Sequence, residues 1–276
     1  MKINQQAVLA AANRLTERDR QILHLLGQHQ VLTTHQITHA FFDNSRVARR
    51  RIQVLHEVGL LDCFRPPLRV GTNPKHCVLT ALGVQAVARL DQEWDLVPPR
   101  AVSAEKIVLR PDLRHLVGVN DVFCGLLGSA RETSAASLDL WLSERACAKA
   151  WGTYVRPDGF GRWREGTRSV DFFLEYDTGV ENSAQILAKL PGYEAMTAAT
   201  GISTPVLFWL HSSRREQGLH QRLARAGSPV PIATASGDST VAAPADAVWR
   251  RVGAAADAPV RLIDLASGAA SSGTRL

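Results

Sequence analysis

The stretch SVDFFLEYDTG, residues 169–179, sets acids at Asp171, Glu175 and Asp177 among aromatic and aliphatic residues suited to a sheet. A strand sends every second side chain to the same face. Asp171, Phe173, Glu175 and Asp177 therefore share one side, while Phe172, Leu174 and Tyr176 share the other. Three carboxylates on one face mean either that the face meets water or that the acids converge on a positive centre, a metal ion being one.

The elements around this strand form an α/β pattern. LRHLVGVNDVFCGLLGSARE reads as a helix with Leu116, Val119, Val122, Phe123 and Leu126 on one side. LDLWLSE, TYVRPDGFGRW and SVDFFLEYDTG read as three strands. The helix SAQILAKLPGYEAMTAA follows, kinked or restarted at Pro191, and then the apolar strand PVLFWL. RREQGLHQRLARA is amphipathic, and VPIATAS reads as a last strand. A hairpin of strands, then a helical crossover to a buried strand, predicts a mixed sheet with flanking helices. From about Ser236 the chain turns rich in Ala, Ser, Gly, Pro and Asp, which predicts a largely flexible tail over 236–276, with Trp249 and VRLIDL able to dock locally.

Charge divides the chain differently. Residues 1–90 hold twelve Lys and Arg against five Asp and Glu, whereas residues 91–276 hold twenty against twenty-one. A basic block beside a neutral one suggests a nucleic-acid-binding module joined to a domain with another task. Within the block, LTERDRQILHLLGQHQ is a helix capped at Thr16, and VLTTHQITHAFF is a second, capped at Thr33 or Thr34. SRVARRRIQVLHEVGLL is a third, capped at Asn44 or Ser45 and closed by Gly59, with Val47, Ile52, Leu55 and Val58 as its apolar stripe. Two strand-like runs around a Pro/Gly/Asn loop and the helix ALGVQAVARL complete it.

Helix, helix, basic helix and hairpin is the order of a winged helix-turn-helix. The third helix would enter the major groove of double-stranded DNA, with Arg46, Arg49, Arg50 and Gln53 opposite the apolar stripe. Arg51 adds a fourth arginine to the same six residues. Arg65, Arg69 and Lys75 in the wing would meet phosphates. His35 and His39 lie one helical turn apart, and as surface histidines near a phosphate backbone they need no metal. The domains expected are 1–90, a linker over 91–112, the α/β domain over 113–235, and the tail.

LTERDRQILHLL, LTTHQI and ARRRIQVLHEVGLLDCFRPP, continued by RPDG, DFFLEYDTG and KLPGY, resemble the replication-relaxation family of plasmids and mobile elements over roughly residues 14–210. The resemblance implies a DNA-binding protein of plasmid, phage or integrated-element biology, acting in replication control or mobilisation alongside replication or mobilisation proteins.

The strand pattern is also distantly similar to the PD-(D/E)xK nucleases. That resemblance implies a nuclease-like topology for the mixed domain, so that with the winged helix before it the chain is expected to be α+β. It puts Pro157-Asp158 at the start of one strand and Glu175-Tyr176-Asp177 on the next, with Asp177 where the pattern carries lysine. Lys189, on the following helix, stands in for that lysine, and Glu144 adds an acid. Asp158, Glu175, Lys189 and Asp177 are then the catalytic candidates, and Asp158, Glu175, Asp177 and Glu144 the candidate ligands of magnesium in metal-assisted phosphodiester hydrolysis. Asp177 would repel the phosphate unless a second ion neutralises it. The alternative is a repurposed sheet without the reaction, in which the acids line a wet edge and Asp158-Gly159 is a turn.

Other chemistries lack their residues. Tyr154, Tyr176 and Tyr193 are the only tyrosines, and no HxH signature supports a tyrosine relaxase. No GxxxxGKS/T loop or GxSxG elbow occurs. Four widely spaced cysteines without a CxxC pair fit reduced thiols in a cytoplasm, and no apolar run is long enough for a membrane span. The expectation is a cytoplasmic DNA-binding protein without a membrane partner, a homodimer on a repeated site being one arrangement. The rival functions are a metal-dependent endonuclease or relaxase, and a transcriptional repressor with an inactive C-terminal domain.

Overall fold

The structure is a computed structural model and describes residues 15–67, 73–88, 98–180, 183–201, 203–237, 242–254 and 258–266. The chain divides into two units between Cys124 and Gly125. It is an α+β protein with helices on a small antiparallel sheet in the first unit and around a mixed sheet in the second.

The first unit opens with α1 (Glu17–His29). Thr16 Oγ1 accepts from Asp19 N at 3.3 Å, and Asp19 Oδ2 accepts from Thr16 N at 2.7 Å, a reciprocal cap that satisfies two of the helix's orphan donors. After β1 (Leu32–Thr33), α2 (Thr34–Phe41) uses the same device between Thr33 and Gln36. Asn44 caps α3 (Ser45–Glu57), accepting from Arg46 N at 2.8 Å. Gly59, at φ +81°, lets the chain reverse after α3 at little cost.

The strands β2 (Leu61–Phe64) and β3 (His76–Leu79) pair antiparallel, with Cys63 opposite Cys77, and β1 joins the far side of β3. A helix α4 (Ala81–Ala88) follows. Residues 98–112, part of the segment expected as a linker, contain α5 (Ala104–Val108); its Ala104 and Ile107 are buried in a cluster with Val31, Val78 and Leu113. The third helix buries Ala48, Ile52 and Leu55. Val47 and Val58, expected on that apolar stripe, are instead exposed, at 54% and 38%.

The division between units falls inside α6 (Leu113–Glu132). The second unit is built on six strands: β4 (Ala136–Ser143), β5 (Gly159–Glu165), β6 (Arg168–Asp177), β7 (Val206–Leu210), β8 (Ile232–Ser236) and β9 (Arg250–Arg251), in that spatial order. The first three are antiparallel, β6, β7 and β8 run parallel, and β9 returns antiparallel. A helix, α7 (Glu144–Trp151), separates β4 from β5, over a stretch that, apart from Glu144, the sequence reading left unassigned between two strands. Glu, Arg, Ala and Lys favour helix there, and β5 starts only at Gly159, so TYVRP is not strand.

The expected break at Pro191 is a restart, since α8 (Ser183–Leu187) ends before α9 (Leu190–Thr200), which carries Pro191 in its first turn. α10 (Ser213–Ala226) runs between β7 and β8. Part of the segment expected as a tail is packed. Trp249 is 1% exposed and donates from Nε1 to the Pro244 carbonyl, and a 3-10 turn over Leu262–Leu265 buries Leu262, Ile263 and Leu265.

Candidate functional site

The acidic face of β6 turns neither to water nor to one common centre. Arg162, directly opposite Asp171 in the β5–β6 register, donates from Nε and Nη2 to the two Asp171 oxygens at 2.6 and 2.7 Å. Phe173, the next residue on that face, meets the rings of Trp151, Phe160 and Tyr193 at centroid distances of 5.0, 5.2 and 5.4 Å. Glu175 accepts from Lys189 Nζ and, at 2.5 Å, from the Tyr193 hydroxyl. Asp177 accepts from Arg215 Nε at 2.6 Å and from Gly179 N at 2.7 Å. Each of the three carboxyl groups thus has its own cationic partner.

Asp158 joins this group from the neighbouring strand. It directly precedes Gly159, which pairs with Leu174, so continuing the antiparallel register by one residue sets Asp158 opposite Glu175. Its Oδ2 accepts from Tyr176 N at 2.8 Å, anchoring the carboxylate to β6. Both acids are buried, at 9% and 3% exposure. Burial foremost, then the Asp158 charge, push the Glu175 carboxyl up to about 8 against the pull of Lys189 and Tyr193. Burial and the Glu175 charge in turn raise the Tyr193 phenol well above its ordinary value. The Cys147 thiol is raised by burial and by the charges of Asp158, Glu175 and Glu144.

Of the residues expected to act together, Asp158, Glu175 and Lys189 therefore meet. Asp177 has a different partner in Arg215, and Glu144 is exposed at the first position of α7. Among the described residues, no three His, Cys, Asp or Glu side chains form a group able to hold a metal. The Asp158–Glu175 pair alone has donor chemistry that suits magnesium, which commonly takes one or two carboxylates and completes its shell with waters and substrate phosphate. Tyr193 is the member of the cluster that sequence reasoning missed. It lies four residues after Lys189, a spacing that puts both on one helical face.

Past Asp177, α10 borders an open cleft of about 520 Å³ lined by His211, Ser212, Arg214, Arg215, Gly218 and Arg222 among others. Arg214 and Arg222 are exposed there. Sequence reasoning treated this helix as amphipathic packing only.

In the first unit, Arg46, Arg49, Arg50 and Gln53 are exposed on α3, opposite its buried Ala48, Ile52 and Leu55. Arg49 is held along the helix by its Nε donating to the Ser45 carbonyl at 3.2 Å, and Gln53 donates to Glu57 at 2.8 Å. Arg51 differs: it grips the buried Asp19 carboxylate through Nε, at 2.7 Å, and Nη2. Of the residues expected in a wing, Arg65 and Lys75 are exposed, and Arg69 lies outside the described residues. His35 and His39 are exposed on α2, near Asp121 of α6, whose carboxyl is raised chiefly by burial against the pull of its hydrogen bond from Gln36.

Among the described residues, no helix is long and apolar enough to cross a membrane. A family model described as replication-relaxation matches residues 23–207, from within α1 to within β7. No curated protein and no solved structure matches the chain.

Proposed function

Because the chain belongs to the replication-relaxation family, we propose that it binds double-stranded DNA during the replication or mobilisation of a plasmid, phage or other mobile element. The observation that carries this reading is the outward face of α3, where Arg46, Arg49, Arg50 and Gln53 stand exposed opposite the buried Ala48, Ile52 and Leu55. A helix with that face, set between α2 and the β2–β3 hairpin, has the order of a winged helix-turn-helix. Its arginines suit guanine O6 and N7, and Gln53 suits adenine N6 and N7. The exposed Val47 adds an apolar contact of the kind that reads a thymine methyl. Arg65 and Lys75 would fix register on the phosphates.

The test is a titration of the full chain against a labelled duplex at graded salt. Affinity that falls steeply with salt supports the reading, because each neutralised phosphate releases counterions. Absence of binding at low salt contradicts it.

A second activity, metal-dependent nicking or cleavage by the second unit, is favoured by the meeting of Asp158, Glu175 and Lys189. The antiparallel β4–β5–β6 and the parallel β6–β7 pairing support a nuclease-like topology. Magnesium would be held by Asp158 and Glu175, and when bound it supplies charge neutralisation on a phosphodiester and an acidified water. The chain's own residues prepare that place. Tyr176 N orients Asp158, Tyr193 orients Glu175, and Lys189 favours the ionised form of Glu175. Arg215 neutralises Asp177, so the acid that replaces the pattern's lysine adds no uncompensated negative charge. Arg214 and Arg222 offer cations to an approaching nucleic-acid backbone.

A further inference from the structure

Cys63 on β2 and Cys77 on β3 are fourteen residues apart in sequence, yet they are Cα partners in the antiparallel register and their Sγ atoms lie 2.6 Å apart. Directly opposite residues of such a pair have Cα atoms about 4.5–5.5 Å apart. A disulfide spans about 4.4–6.8 Å between Cα atoms, so a bond here requires no backbone displacement.

We propose that Cys63 and Cys77 are a thiol–disulfide exchange site, at which low-molecular-weight disulfides convert the two thiols into a reversible intrachain bond that closes the β2–β3 hairpin. The inference rests on this register and contact, and it holds whether or not the chain binds DNA.

The two sulfurs differ in a way that sets the order of events. Cys63 is half-buried, and Cys77 is fully buried. The Sγ–Sγ hydrogen bond with Cys77 lowers the Cys63 thiol, aided by the Lys75 charge and opposed by burial and Asp62. The same contact raises Cys77, and burial adds to it. Cys63 is therefore the entry point. Its thiolate attacks one sulfur of the small disulfide, forming a mixed disulfide and expelling a thiolate that takes a proton from solvent. Cys77 then gives its proton to solvent and attacks Cys63 Sγ, expelling the second small thiolate. Two protein thiols are oxidised and one small disulfide is reduced to two thiols. Cys124 and Cys147 are buried elsewhere, with thiols raised by burial, and take no part.

The experiment equilibrates the full chain with mixtures of oxidised and reduced glutathione, quenches with N-ethylmaleimide, unfolds the protein and measures mass and peptide linkage. Under oxidising mixtures the wild type loses two of its four alkylatable thiols, a Cys63–Cys77 linked peptide appears, and dithiothreitol restores all four. Cys63→Ser, a change at the half-buried member, forms no internal link. Four alkylatable thiols at every mixture, or a link through Cys124 or Cys147, overturns the proposal; the wild-type measurement decides this without the variant.

Discussion

Asp177 on β6 and Arg215 of α10 form a close ion pair, Arg215 Nε donating to the Asp177 carboxylate at 2.6 Å. The positive charge that the strand lacks is supplied from thirty-eight residues further along the chain. Asp177 is 4% exposed, whereas the Arg215 side chain keeps 24% exposure. Removing the arginine leaves a buried carboxylate with one backbone donor. Arg215→Ala is expected to cost roughly 2–3 kcal/mol, below the range for fully buried pairs because Arg215 is partly solvated. Urea unfolding measures this, and an unchanged midpoint would show that the pair contributes nothing net.

Glu175 predicts how stability depends on pH. Its carboxyl is raised from 4.5 to about 8 in the folded protein, so the folded state holds the proton over a range where the unfolded state has released it. This contribution is complete below about pH 4.5 and is lost as pH rises through about 8. Glu175→Gln keeps the shape and removes the titration. The slope of stability between pH 5 and 8 should flatten in the variant relative to wild type, read from unfolding midpoints across that window. Parallel slopes would place the titrating group elsewhere.

Neighbouring arginines on α3 are expected to separate stability from binding. Arg51 closes onto Asp19, which is fully buried, and Arg51→Ala should destabilise by roughly 2–3 kcal/mol. Arg50 is exposed, so Arg50→Ala should leave stability within about 0.5 kcal/mol while weakening DNA affinity. Thermal unfolding and duplex titration on the same samples check the contrast. Equal effects of the two changes on both readouts would remove the distinction.

The nuclease-like reading makes its own demand. Incubated with supercoiled or single-stranded DNA, the wild type should nick or cut with magnesium or manganese and not with chelator. Asp158→Ala and Glu175→Ala should each abolish cleavage while duplex binding persists. Tight binding with no cleavage under either metal would leave the chain a DNA-binding protein with an inactive sheet.

The sequence made the periodic and local features legible. Three capped helices, the basic face of α3 and the strands of the mixed sheet follow from apolar spacing, cap residues and β-rich runs. Asp158, Glu175 and Lys189 were found together because their motifs lie on consecutive elements. The partners that decide what the acids do were harder to see. Arg215 belongs to a later helix, and Tyr193 joins Glu175 only once Pro191 is known to open α9. α7 was hidden because its eight residues are too few to establish a helical period, despite their helix-favouring composition. Val47 shows the limit of a helical stripe, since its place at the stripe's edge leaves it exposed while Ile52 is buried. Cys63 and Cys77 are distant in sequence, and only the hairpin register brings them into contact.

The most direct test of DNA binding through α3 compares the wild type with Arg46→Ala/Arg49→Ala/Arg50→Ala on one labelled duplex over graded salt. The triple variant should fold normally, bind at least about tenfold more weakly, and show a shallower dependence of log affinity on log salt, because it neutralises fewer phosphates and reads fewer bases. A folded variant with wild-type affinity and an unchanged salt slope would contradict the account.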